Sequence, residues 1–280
     1  MSGPPEGRNS VARARSRCSS APVDPAAVRQ AYDEQVRRRP ATHAPGAQVE
    51  RADGVVRVVS ATGWSGVTWS GLEEGTADVV IAAQVQRFSG LSRSWEWKYY
   101  SHDTPPDLPA RLVAAGLVAE PAETLLVAEI ADLALDASPP PGVELRPVTD
   151  AAGVRDLVRV GEEVFGEDYS ALGSVLTAQL AQHPDSVAAV VAVTGDRPIA
   201  AGRVEFCIGT PFAGLWGGGT LPAWRGRGVF RALVAHRAAL AAARGFRYLQ
   251  VDASDDSRPI LRRLGFVELA TTTPYAGSGS

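Results

Sequence analysis

The chain is 280 residues long, 45% hydrophobic and 21% charged, with a formal charge of -3. This balance suits a folded core in one large or two modest domains, and gives no electrostatic case for binding specific nucleic acid or an anionic membrane. No apolar run approaches the roughly 20 residues of a spanning helix. The four histidines and the two cysteines, Cys18 and Cys207, offer no metal-ligand spacing, and unpaired thiols in a reducing, cytoplasmic compartment are the simpler expectation.

Residues 1–22 carry Arg8, Arg13, Arg15 and Arg17 among Ser, Gly and Pro, without the apolar stretch of a secretory signal, and read as a disordered tail. Asp24-Pro25 then opens a helix through Arg38, because aspartate accepts orphan amides and proline needs no donor in a first turn. Strands are expected at Val55–Val59 and Gly66–Trp69, a helix at Thr76–Phe88, and an aromatic-rich strand at Ser94–Tyr100. A helix over Asp107–Ala115 and a strand over Leu125–Ile130 complete a first domain, 23–136. Three prolines within Ala137–Gly142 mark a linker.

The second domain, 143–280, has a clearer rhythm. Strand Val143–Pro147 precedes helix Ala151–Phe165, a polar loop around Asp168-Tyr169, and helix Ala171–His183. Strands Val187–Val193, Ile199–Ile208 and Phe212–Leu221 follow, then helix Val229–Ala243, strand Tyr248–Val251, helix Arg258–Leu264 and strand Gly265–Ala270. This alternation predicts an α/β fold, a mixed sheet with helices on its faces.

One run concentrates the chemistry: Thr220-Leu221-Pro222-Ala223-Trp224-Arg225-Gly226-Arg227-Gly228-Val229-Phe230-Arg231. An apolar strand ends, an Arg/Gly turn follows, and a helix begins at once, with Val229, Leu233, His236 and Leu240 marking its inner side. A helix start presents amides without intrahelical partners, which suits a phosphate. Gly226 and Gly228 let backbone approach an anion, and Arg225, Arg227 and Arg231 add charge-assisted bonds. A glycine-containing surface turn with solvated arginines is the bland alternative. The spacing fits neither a P-loop nor a dinucleotide fingerprint.

Arg225-Gly226-Arg227-Gly228-Val229-Phe230 resembles the Arg/Gln-x-x-Gly-x-Gly/Ala signature of the GNAT acetyltransferases. Thr220-Leu221-Pro222 resembles the Val-x-Pro ending that family's fourth strand, and Leu261-Arg262-Arg263-Leu264-Gly265-Phe266 its closing Tyr-x-x-x-Gly-Phe. The resemblance implies a GNAT acyltransferase fold from about Val143 to Pro274 and acetyl-coenzyme A as co-substrate, without a metal. It places pyrophosphate on the amides of Arg225 through Phe230 and the thioester arm against Gly219, Thr220 and Leu221, between two splayed strands. Two positions depart from the pattern: Phe230 replaces a small residue, and Leu261 replaces the tyrosine that often protonates the leaving thiolate. Ser254 stands near a common asparagine and offers a hydroxyl for the pantetheine.

The implied reaction is direct attack of a neutral amine on the thioester, with the acceptor expected to be a small molecule. A protein or peptide acceptor, or a non-catalytic acetyl-coenzyme A sensor or structural protein, are the alternatives. Alternation along the strand sets Arg203, Glu205 and Cys207 on one side, making Glu205 the candidate base or ammonium-binding group. A solvated or arginine-paired carboxylate is the structural alternative. Tyr275 and Tyr169 are candidate proton donors in place of the missing tyrosine; aromatic packing is the default for both. The first half repeats the order strand, helix, Gly-Leu, strand, which resembles a degenerate GNAT-like unit; an unrelated supporting α/β domain is the alternative. Its counterpart loop, Trp69 to Gly75, carries Glu73 and Glu74 where the second half carries arginines, so a single cofactor site is expected.

Overall fold

The computed structural model describes residues 24–42, 46–91, 93–133 and 138–279; the expected tail at 1–22 and the start of the expected linker lie outside them. Helix α1 (Pro25–Tyr32) is capped by Asp24, which accepts from the Ala26 amide, and continues as a π turn through Asp33–Arg37. Strands β1 (Gln48–Ala52), β2 (Val55–Val59) and β3 (Gly66–Ser70) lead to α2 (Ala77–Ser89), β4 (Trp95–Tyr100) and α3 (Leu108–Ala114). A two-residue strand β5 (Val118–Ala119) and β6 (Glu123–Glu129) end the first half. Strand β1 escaped the sequence reading because Gln48, Glu50 and Arg51 interrupt any apolar alternation.

The second half contains β7 (Glu144–Pro147), α4 (Ala151–Phe165), α5 (Ser170–Gln182), β8 (Val187–Thr194), β9 (Arg197–Phe206) and β10 (Phe212–Thr220). Then come α6 (Val229–Ala243), β11 (Tyr248–Ala253), α7 (Arg258–Leu264) and β12 (Val267–Gly277). The last strand runs seven residues past its expected end, because it has two partners: its first part pairs β6 and its second part β4.

The twelve strands among the described residues form one sheet, in the order β1-β2-β3-β4-β12-β6-β11-β10-β9-β8-β7, with β5 beside β12. The two halves therefore exchange their closing strands: β12 of the second sits against β4, and β6 of the first sits against β11. Each half has one parallel pair, β3 with β4 and β10 with β11. Helices α2, α3, α6 and α7 cover one face, packing on Trp95, Trp97 and Val67 in the first half and on Val204, Phe206, Leu215 and Leu249 in the second. Helices α1, α4 and α5 cover the other face. Each fully buried Leu, Val or Phe of these layers contributes about 1.5–3 kcal/mol.

Candidate active site

Parallel pairing between β10 and β11 covers only Phe212 to Gly214 against Tyr248 to Gln250. Beyond it β10 follows β9 to Thr220, while β11 follows β6 to Ala253, so the two strands part and leave a cleft. At its mouth Pro222–Trp224 makes one 3-10 turn and Gly228 caps α6. Gly226 and Gly228 have φ of 74° and 87°, so the sequence uses glycine where the backbone turns left-handed. No heavy atom stands within 4 Å of a Cβ built on Gly226, leaving the turn open on that side. The first amides of α6, from Val229 to Arg231, have no carbonyl one turn earlier to bond, and α6 has no side-chain cap.

Arg225 donates from Nε to the Thr220 carbonyl at 3.2 Å and stands 3.9 Å from Asp256 across the mouth. The Arg227 guanidinium lies over the Trp224 ring at 5.0 Å, and Arg231 is exposed. Phe230 turns away from the turn and packs against the α6 core, as its size requires. The Thr220 hydroxyl is buried with no hydrogen-bond partner. Leu221 is buried, with its amide on the Ile199 carbonyl. Ser254, at the end of β11, is exposed and its carbonyl receives the Ser257 and Arg258 amides that start α7. An open amide-lined turn, flanking arginines and an unpartnered hydroxyl at the end of β10 together fit a pyrophosphate followed by a polar chain.

Several residues have other roles than the sequence suggested. The missing side chains of Gly218 and Gly219 make room for protein: a Cβ would come within 3.2 Å of Arg237 at Gly218 and 2.9 Å of Val164 at Gly219. The register of β10 shifts between Trp216 and Gly219, a bulge next to the cleft. The inner polar residue of α6 is Arg237, 1% exposed, whereas His236 is only half-buried. Arg237 donates to the Leu233 and Arg203 carbonyls, and burial with the nearby Arg203 charge presses its pKa down to about 10.

Tyr275 is not at the cleft. It pairs with Trp97 in register and belongs to the first half's core beside Tyr99, because β12 crosses into that half. Leu261 is also core, 1% exposed against Phe266. Tyr169 does stand by the cleft: its ring lies parallel to Phe165 at 5.8 Å, and Phe165 approaches Gly219. Burial, then Glu167, raise the Tyr169 pKa against the pull of Arg203. Glu205 lies on β9 with its Oε1 held 2.8 Å from Arg203 Nε, so the arginine-paired alternative describes its contact. Asp168 is exposed and accepts from the Ser170 amide at the start of α5. Trp95 and Trp97 are buried core and line no cleft.

The first half has the same parting of strands, between β3 and β4 beyond Val67 and Trp97, but protein fills it. Arg37 inserts there, donating to the Thr68 carbonyl and to both oxygens of Asp103 at 2.7 Å. Burial opposes its charge, yet Asp103, with Asp33, outweighs this and raises the Arg37 pKa. The loop carrying Glu73 and Glu74 is tied down by the Leu72 amide on the Thr104 carbonyl and the Thr104 hydroxyl on the Leu72 carbonyl.

Residues 155–266 match the family model described as the acetyltransferase (GNAT) family. The chain is similar in fold to a GCN5-related N-acetyltransferase from Kribbella flavida, with TM-score 0.67 and 18% identity over 93% of this chain and 98% of that one. One from Sphaerobacter thermophilus gives TM-score 0.57 and 14% identity over 82% of each chain. A tandem GNAT protein from the clavulanic acid biosynthesis pathway gives 0.56 and 13% over 85% of each. No curated protein matches the sequence. The second half thus has the GNAT acetyltransferase fold.

Proposed function

We propose that the protein is an acetyl-coenzyme A-dependent N-acetyltransferase acting on a small primary amine. The observation that carries this reading is the parting of β10 and β11 directly above an open, arginine-flanked turn at the start of α6. Acetyl-coenzyme A would supply the acyl group as a thioester. The amides of Arg225 to Phe230 and the guanidinium groups of Arg225, Arg227 and Arg231 would hold its pyrophosphate, with Gly219, Thr220, Leu221 and Ser254 along the pantetheine. The Thr220 hydroxyl, buried and unpartnered, supports this placing.

Glu205 receives the acceptor's ammonium or its proton, and Arg203 fixes the carboxylate's direction. Tyr169 is close enough to Arg203 to feel its charge, and it is the remaining proton donor of the two considered. The first half is read as a degenerate GNAT-like unit, supported by its repeated element order and by its strand exchange with the second. The test is an assay of coenzyme A release with a series of small amines, peptides and a no-acceptor control. Release dependent on a small amine supports the reading. Tight acetyl-coenzyme A binding with no transfer would instead favour the sensor, which the aliphatic Leu261 in place of a tyrosine also favours.

A further inference from the structure

On the face covered by α1, α4 and α5, a polar band crosses the sheet from one half to the other. By strand alternation Glu205 of β9, Trp216 of β10, Gln250 and Asp252 of β11, Glu123 of β6 and Lys98 of β4 all stand on this face. Gly214, opposite Glu205, leaves space that the Gln250 amide and the Trp216 indole occupy; a Cβ there would lie 2.4 Å from Gln250 Nε2 and 2.7 Å from Trp216 Nε1. Gln250 therefore reaches toward Glu205 next to where β10 and β11 part.

The charges in this band do not balance. Lys98, the single lysine of the chain, contacts Glu123 at 2.9 Å and Asp252 at 3.3 Å, with Glu96 also close enough to act on it. One cation thus serves three carboxylates. Two acceptors are left over: Asp252 Oδ1 and Gln250 Oε1 are buried and have no hydrogen-bond partner. The Asp252 side chain is only 4% exposed, and Gln250 is 1% exposed. Buried acceptors are rarely left unmade, because each has given up water without a replacement.

We infer that Asp252 Oδ1 and Gln250 Oε1 bind the acceptor, and that they select a small, positively charged amine without a carboxylate, such as a diamine. Both unpartnered atoms accept and neither donates, so the ligand must bring hydrogen-bond donors. The surplus carboxylates favour a cation and repel an acid. Lys98 makes this a joint site, because the first half holds Asp252 in place for the second. The inference rests on the acetyltransferase reading for the meaning of the amine, though not for its binding.

Calorimetric titration of the full chain with 1,4-diaminobutane, n-butylamine and 4-aminobutanoate, with and without coenzyme A, tests it. Diaminobutane is expected to bind, butylamine more weakly, and aminobutanoate not at all. Asp252→Asn should weaken diaminobutane about tenfold or more, the usual loss for one charge-assisted bond. Gln250→Met, which keeps the Lys98 ion pairs, should also weaken it, and both variants should keep the wild-type coenzyme A affinity and circular dichroism. Unchanged diamine affinity in both variants, a preference for aminobutanoate, or no binding of either amine would overturn the inference. Failure of coenzyme A to bind the wild type would overturn the acetyltransferase reading instead, and the diamine result would stand by itself.

Discussion

At the scale of single residues, two buried arginines with different partners are expected to differ in how well they tolerate replacement. Arg37 is bidentate with Asp103, and both side chains are 2% exposed. Arg37→Met leaves that carboxylate buried and unpaired and should cost about 3–5 kcal/mol in urea unfolding. Arg237 bonds only carbonyls, so Arg237→Met strands no charge and should change stability by less than about 1 kcal/mol, in either direction. Equal losses in the two variants would contradict this contrast. Cys207 gives a pH prediction. Burial and then Glu205 push its thiol up to about 12, so the native state keeps a proton that the unfolded chain releases from about pH 9. Its contribution to stability is present below that pH and lost as pH rises toward 12. In a Cys18→Ser protein, a disulfide reagent at pH 8 should react far more slowly than with the urea-unfolded chain; matching rates would sink the assignment.

Among elements, the turn into α6 was the most legible from sequence, and the reason is local. Its glycines are set by left-handed backbone and its amides by a helix start, both of which neighbouring residues dictate. Gly226→Ala should therefore cost about 1–2 kcal/mol through backbone strain alone, since the space beside it is open, and should weaken acetyl-coenzyme A. What depends on distant strands was not legible. Tyr275 follows its own strand by sequence, yet lies in the other half's core because β12 crosses over. Asp252 and Gln250 were passed over although Tyr248 to Ala253 alternates polar with apolar side chains, a signal that two polar groups share one face. Lys98, the partner of Asp252, is more than 150 residues away, and no local pattern announces the pairing. Arg237 was missed for a smaller reason: the inner side of α6 is rotated by one residue from the stripe through His236, toward alanines that allow close packing.

For the whole molecule, exchanged closing strands make each half incomplete without the other. Residues 143–280 alone would leave β11 with an uncovered edge where β6 belongs, and an uncovered edge invites aggregation. That fragment should be insoluble or oligomeric by size-exclusion chromatography, and co-expression with residues 1–142 should restore a soluble complex. A monomeric, fully folded fragment would argue against the exchange. The same sheet holds one open cleft and one closed by Arg37, so the account as a whole predicts a single cofactor site per chain. Isothermal titration of acetyl-coenzyme A tests this most directly. It should give one site per chain, weakened about tenfold or more when Arg225 and Arg227 are both replaced by alanine. Two equivalent sites, or an affinity indifferent to both arginines, would contradict it.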